Sequence, residues 1–125
     1  MNEQKITIIP GVIHSIVPVD VQPVTVMIRW RLVQVRRADD RRTRHLVGRA
    51  DEEGRVSSEI VKLDLQALAA TTKSGRVYVL EGPPGRDGDA AYVFGRWLSR
   101  NGLPNPRDMT RALISLRGRR PGGRS

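Results

Sequence analysis

Cysteine is absent from the 125 residues, which excludes disulfides, thiolate zinc sites and cysteine nucleophiles together. Histidine occurs only at His14 and His45, so we expect neither a histidine-rich metal site nor any other cofactor. The amino-terminal segment has no basic stretch followed by a long apolar run, and nowhere does the chain approach the ~20 apolar residues of a membrane span. We therefore expect a cytoplasmic protein with no signal peptide and no membrane contact.

Catalytic and nucleotide-binding motifs are also missing. Neither G-x-x-x-x-G-K-[ST] nor G-x-G-x-x-G is present. The glycine-rich segment Gly82–Asp89 precedes a predicted helix, but Asp87 and Asp89 would repel a phosphate there. Two carboxylates are too few oxygen ligands for calcium, and helix capping explains them more simply. We predict that the protein is not an enzyme, since no catalytic constellation can be assembled from these residues.

Negative charge is scarce beside positive charge, with 22 lysines and arginines, 13 acidic residues and a net charge of +9. Basic clusters attract phosphate backbones through counterion release. The alternative is that a GC-rich genome supplies arginine freely and the charge only aids solubility. The residues predicted to contact nucleic acid or an acidic partner are Arg29, Arg31, Arg36, Arg37, Arg41, Arg42 and Arg44, with Arg117, Arg119 and Arg120 in the tail.

The clearest strand is Val24–Leu32, where apolar residues alternate with Thr25, Met27, Arg29 and Arg31. This period predicts that Trp30 is buried, while Arg29 and Arg31 share a solvated face. The alternating apolar positions are Val24, Val26, Ile28, Trp30 and Leu32. The strand should continue through Val35, turn at residues 38–41 and return antiparallel as Thr43–Ala50.

The remaining strands and helices are predicted from the same signals. The predicted strands are Lys5–Ile9, Val12–Val17, Val56–Leu63 and the interior strand Arg76–Glu81. Asp64–Thr72 is interpreted as a turn and then a strand, with a helix as the alternative. A helix should run from Gly88 to Arg100 with an apolar face of Ala90, Val93, Phe94, Trp97 and Leu98, capped by Asp87 or Asp89 and ended at Gly102. A second helix should run from Met109 to Leu116, capped by Asp108, with Ala112, Leu113 and Leu116 facing inward.

These elements predict the α+β class: a curved antiparallel sheet or small open barrel of about six strands, packed with one amphipathic helix from the carboxy-terminal half. We expect one domain over residues 1–116 and a disordered basic tail over residues 117–125. Trp97 and Tyr92 on the first helix could stack with bases, although a Trp on an apolar helical stripe is more often part of the core.

Residues 72–98 carry the pattern T-x-S-G-R-x-Y-x-L-x-G-x-P-G-x-D-x-D-A-x-Y-V followed by Trp97. This pattern resembles a segment of uncharacterised small proteins of proteobacterial phages and prophages. The resemblance implies a mobile-element origin and brings no activity, cofactor or residue role with it.

Two functions are compatible with these observations. The first is a non-enzymatic protein that binds nucleic acid or a nucleoprotein complex through an arginine-rich sheet face. The second is a protein-interaction module, such as an inhibitor or adaptor, that binds an acidic host or phage protein.

Overall fold

A computed structural model describes residues 24–118, in which seven strands form one curved, mixed, open sheet accompanied by two helices. The strands are β1 (Val24–Arg36), β2 (Arg42–Ala50), β3 (Glu53–Val56), β4 (Ile60–Asp64), β5 (Ala69–Thr72), β6 (Val77–Leu80) and β7 (Arg107–Asp108), and the helices are α1 (Gly88–Asn101) and α2 (Thr110–Gly118). The α+β class is confirmed. The predicted strands Lys5–Ile9 and Val12–Val17, and residues 119–125 of the predicted tail, lie outside the described residues.

The sheet is organised around β1, which pairs with three other strands. The strand order is β3-β2-β1-β6-β5-β4, and β7 pairs with the second half of β1. One pair, β1 with β6, is parallel, so the sheet is mixed where the sequence suggested antiparallel pairing throughout. Four strands separate β1 from β6 along the chain, and no hairpin turn therefore forces these two strands to run in opposite directions. The prediction that β6 is an interior strand is confirmed.

A β-bulge divides β1 into two halves. The register with β2 shifts between Ile28 and Arg31, and Arg29 takes the left-handed backbone conformation with φ 47°. A bulge inserts one residue, which reverses the face of every side chain beyond it. Met27 and Trp30 therefore lie in the same core although they are three residues apart. The prediction for the first half of the strand is wrong, because the side chains exposed there are Val24, Val26 and Ile28, while Thr25 is buried with Met27.

The curved sheet has two apolar clusters on its opposite sides. The first lies on the side of α2 and contains Met27, Trp30, Leu32, Leu46, Ala70, Tyr78, Leu80 and Leu113. The second lies under α1 and contains Val33, Val47, Ala90 and Phe94, with Trp97 and Leu98 packed against it. Trp30 is buried as predicted, and its Nε1 donates a hydrogen bond to the carbonyl of Gly82 at 3.0 Å. This bond ties the loop before α1 to β1.

The predicted strand Val56–Leu63 is two strands in the structure. β3 pairs with β2, whereas β4 pairs with β5, and the chain changes partner at residues 57–59. Ser57 stabilises the chain where it changes partner, because its hydroxyl accepts a hydrogen bond from the Leu46 N–H and donates one to the Ser58 carbonyl. For residues 64–72 the turn followed by a strand is confirmed and the helical alternative is wrong.

Helix α1 has the predicted limits. Asp87 is its N-cap and accepts a hydrogen bond from the Ala90 N–H at 3.0 Å, while Gly102 ends the helix in the left-handed conformation. The helix approaches β3 so closely that a Cβ on Gly54 would collide with the Asp89–Ala90 backbone. A side chain at position 54 would therefore push the helix away from the sheet.

Helix α2 begins where Asp108 accepts a hydrogen bond from the Thr110 N–H. Leu113 is buried as predicted, but Ala112 and Leu116 are exposed, because only one side of this short helix meets the sheet. The helix extends to Gly118, so the first two residues of the predicted tail are helical. Neither helix in residues 24–118 has the length and apolar content needed to cross a membrane.

Candidate nucleic-acid interface

The β1–β2 hairpin distributes its arginines over two faces. Directly opposed residues of an antiparallel pair lie on the same face, and successive residues alternate. Val33 is opposite His45, and this pair faces α1. The neighbouring pairs therefore face away from α1, and they are Gln34 with Arg44 and Arg36 with Arg42.

Two predicted contact residues pack on the α1 side instead. The guanidinium of Arg31 lies 5.7 Å from the Phe94 ring centroid and 3.5 Å from a carboxylate oxygen of Asp108, and its side chain is only 13% exposed. Arg37 lies over the Trp97 ring at 5.6 Å. Because cation–π contacts of this kind stabilise the helix against the sheet, these two arginines have a structural role. The expected solvated face shared by Arg29 and Arg31 is wrong, since Arg29 sits in the bulge.

On the opposite face, arginines from three strands come together around Gln34. Arg44 of β2 is opposite Gln34 on one side, and Arg107 of β7 is opposite it on the other. Neighbouring strands are about 4.8 Å apart, so the backbones of Arg44 and Arg107 are separated by roughly 10 Å. We call Arg36, Arg42, Arg44 and Arg107 the arginine patch. All four are exposed.

The charges of the arginine patch are largely uncompensated by the described residues. Arg36 is 3.6 Å from Asp40 across the turn, and Arg44 donates a hydrogen bond from Nε to the Gln34 side chain at 3.2 Å. Within residues 24–118, Arg42, Arg44 and Arg107 take part in no ion pair. Like charges directly opposed across two strands are destabilising. The patch is therefore a concentration of positive charge that lowers the stability of the free protein.

The other predicted arginines are dispersed. Arg41 lies in the turn, where a 2.9 Å contact with Asp39 raises the pKa of the guanidinium and lowers the pKa of the carboxylate. Arg117 lies in the last turn of α2 and donates hydrogen bonds to the carbonyls of Leu65 and Gln66. Arg119 and Arg120 lie outside the described residues.

Sequence reasoning missed Arg107. It follows the segment Leu103–Pro106, whose two prolines indicate a rigid linker, and nothing nearby in the sequence predicts a strand at Arg107. Its place in the patch follows only from the pairing of β7 with β1, more than seventy residues away along the chain.

The acidic pair before α1 is neutralised by an arginine. The Nη1 of Arg49 lies 3.3 Å from Asp87 and 3.1 Å from Asp89. The hydrogen bond from the Ala90 N–H is the main cause that lowers the pKa of Asp87 below its ordinary value, and the positive charge of Arg49 lowers it further. The capping interpretation of Asp87 is confirmed, and both carboxylates are engaged with protein groups.

A buried histidine supports the hairpin from the α1 side. His45 packs against Trp97 with ring centroids 4.7 Å apart and the ring planes tilted by 60°. Its Nδ1 can only donate to the Ser57 carbonyl, so Nε2 accepts from the Thr43 hydroxyl at 2.8 Å. Burial is the main cause that lowers the pKa of His45. The neutral ring is therefore the native form, and Trp97 packs as part of the core, as its position on the helical stripe indicated.

Comparison with known proteins finds no family model that matches this chain, and no curated protein or solved structure with significant similarity.

Proposed function

We propose that this protein binds nucleic acid, or a nucleoprotein complex, through the arginine patch, without recognising a base sequence. The observation that carries the proposal is the meeting of four exposed arginines from β1, β2 and β7 on the face of the sheet that points away from α1. Guanidinium groups form paired, charge-assisted hydrogen bonds with phosphate oxygens. A phosphate backbone laid across these strands would relieve the repulsion among the four side chains.

The surroundings of the patch favour backbone contact over base reading. The neighbour at its centre is the amide of Gln34, and Phe94 and Trp97 of α1 pack on the other face of the sheet. Contacts to phosphate position a protein on nucleic acid, whereas sequence is read from base edges. We therefore expect similar affinity for unrelated sequences. From composition and from the resemblance of residues 72–98, we also propose a cytoplasmic protein of mobile-element origin.

A second function rests on the edge of the sheet. Among the strands of residues 24–118, β4 is the terminal one of the order, and Val61 on it is 58% exposed. An edge strand offers unpaired backbone groups to an extended peptide. An inhibitor or adaptor could bind an acidic protein there, with arginines supplying the charge contacts.

A salt series with matched variants separates these functions. We would compare Arg42→Gln/Arg44→Gln with the control Arg96→Gln/Arg100→Gln, which removes the same charge from the exposed side of α1. Fluorescence anisotropy with labelled duplex and single strands gives the affinity at each salt concentration. The patch variant should flatten the logarithmic salt slope on duplex DNA by ~0.9 for each phosphate that the variant no longer neutralises.

The control should retain the wild-type slope if the patch is the binding face. An equal decrease of affinity in both variants would show that affinity follows net charge alone and would contradict the proposal. Wild-type protein that binds neither strand form at low salt would also contradict it and would favour the acidic-partner function.

A further inference from the structure

A cleft opens beside β1 where its pairing on one side is interrupted. β6 pairs with β1 only as far as Met27, and β7 pairs with it from Val33. Between these points the carbonyl of Trp30 accepts a hydrogen bond from the Gly85 N–H, and the N–H of Leu32 donates to the Thr110 hydroxyl. The loop before α1 and the first turn of α2 therefore flank a cleft of about 640 Å³.

Three arginines and one aspartate line this cleft, which leaves it with a formal charge of +2. Asp108 is held by Arg31 at 3.5 Å and by the Thr110 N–H at 2.9 Å. Burial opposes its ionisation, but these hydrogen bonds outweigh burial and hold the pKa of Asp108 below its ordinary value. Arg86 and Arg111, in contrast, form no ion pair with any residue of the described part of the chain.

The cleft also has an apolar wall. Pro84 lines one side of it, and Ile114 of α2, which is 41% exposed, lines the other. A bare inorganic anion would leave this wall uncovered. Clefts of ~300–1,000 Å³ suit small organic ligands.

We propose that this cleft binds a phosphate monoester, with Arg86 and Arg111 on the phosphate and Pro84 and Ile114 against its organic part. Arg31 is already paired with Asp108, so the guanidiniums of Arg86 and Arg111 supply the attraction for the phosphate. From the sequence, Asp87 and Asp89 were expected to repel a phosphate at this loop. In the structure both carboxylates are bound to Arg49 and neither lines the cleft.

The source of the phosphate monoester can be a free nucleotide or the phosphorylated end of a strand, and both present the same group. The test is a titration of ¹⁵N-labelled protein followed by NMR, with a nucleoside 5′-monophosphate, the matching nucleoside and inorganic phosphate. We expect saturable shifts of the Gly85, Arg86, Thr110 and Arg111 amides with the monophosphate and none with the nucleoside. Inorganic phosphate should bind at the same place more weakly, because it cannot cover the apolar wall.

Variants localise the binding. Arg86→Gln/Arg111→Gln should bind the monophosphate about 100-fold more weakly, at about tenfold for each charged hydrogen-bonding group removed. Arg96→Gln/Arg100→Gln should bind like the wild type. If the double variant does not fold, the single variant Arg86→Gln can be compared with the wild type in the same titration, because it changes only an exposed loop residue.

A 5′-phosphorylated oligonucleotide that binds more tightly than the free monophosphate would assign the ligand to a strand end; equal or weaker binding would assign it to the free nucleotide.

Monophosphate shifts that do not saturate, or equal binding by Arg86→Gln/Arg111→Gln and the wild type, would overturn the proposal. The arginine patch is tested separately, because Arg42→Gln/Arg44→Gln should keep the monophosphate site while its affinity for long nucleic acid falls. Failure of one proposal can thus be recognised independently of the other.

Discussion

Replacing Arg42 with Glu should stabilise the protein while weakening its binding to nucleic acid. Arg42 is directly opposite Arg36, so the wild-type pair brings two positive charges together on the face that points away from α1. A cross-strand pair contributes ~0.2–1 kcal/mol, favourable for opposite charges and unfavourable for like charges. Exchanging repulsion for attraction should therefore raise the free energy of unfolding by about 1 kcal/mol, which corresponds to a gain of roughly 4 °C in Tm for a domain of this size.

The assay is urea unfolding of wild type, Arg42→Gln and Arg42→Glu at low and high salt. The Gln variant removes only the repulsion and should lie between the other two. The differences should shrink at 1 M salt, where the Debye length falls to about 3 Å. An Arg42→Glu protein that is less stable than wild type at low salt would refute the idea that the patch carries uncompensated charge.

Three further predictions concern the packing behind the patch. Gly54→Ala should destabilise the protein by ~1–3 kcal/mol, because the new methyl group collides with the α1 backbone; thermal unfolding that matches wild type would contradict this close approach. Trp97→Ala should cost ~2–3 kcal/mol by urea unfolding, less than the ~3–5 kcal/mol of a fully buried aromatic, because Trp97 packs against His45 but is partly exposed; an effect below ~1 kcal/mol would show that this packing is unimportant. The lowered pKa of His45 means that the unfolded chain binds the proton more readily, so this contribution to stability is complete above pH ~6.5 and is lost as pH falls through the native pKa. His45→Gln should flatten the pH dependence of unfolding in that range, and an unchanged pH profile would contradict a buried neutral ring.

Local sequence signals were sufficient to predict those features whose structure depends only on residues close together in the sequence. The Asp87 cap, the Gly102 terminus and the apolar face of α1 all follow from helical spacing and backbone chemistry, and each is confirmed. The turn at residues 38–41 and the return of β2 also depend only on neighbouring residues.

The error in the first half of β1 arises from the bulge at Arg29. A strand of alternating residues gives no sign of an inserted residue, because Arg is not the residue expected in the left-handed conformation. The bulge reverses the first half of β1 and places Val24, Val26 and Ile28 outside. The pairing of β1 with β6 ends at Met27, just before the bulge, and the cleft lined by Arg86 and Arg111 opens beyond that point.

The candidate interface was only partly predictable for a related reason. Alternation identifies which arginines share a face, but the register between strands decides which face meets α1. That register directs Arg31 and Arg37 to the aromatic rings of the helix and leaves Arg36, Arg42 and Arg44 on the side that points away from α1. Arg107 joins them through a pairing between distant segments.

The most direct measurement of the central claim is NMR observation of the arginine side-chain Nε–Hε signals during titration with an unphosphorylated oligonucleotide. The structure predicts that the signals of Arg36, Arg42, Arg44 and Arg107 shift together and saturably. Arg31 and Arg37 serve as internal controls on the opposite face, and their signals should stay in place. Shifts concentrated on Arg96 and Arg100 of α1, with the signals of the arginine patch unmoved, would contradict binding through the patch.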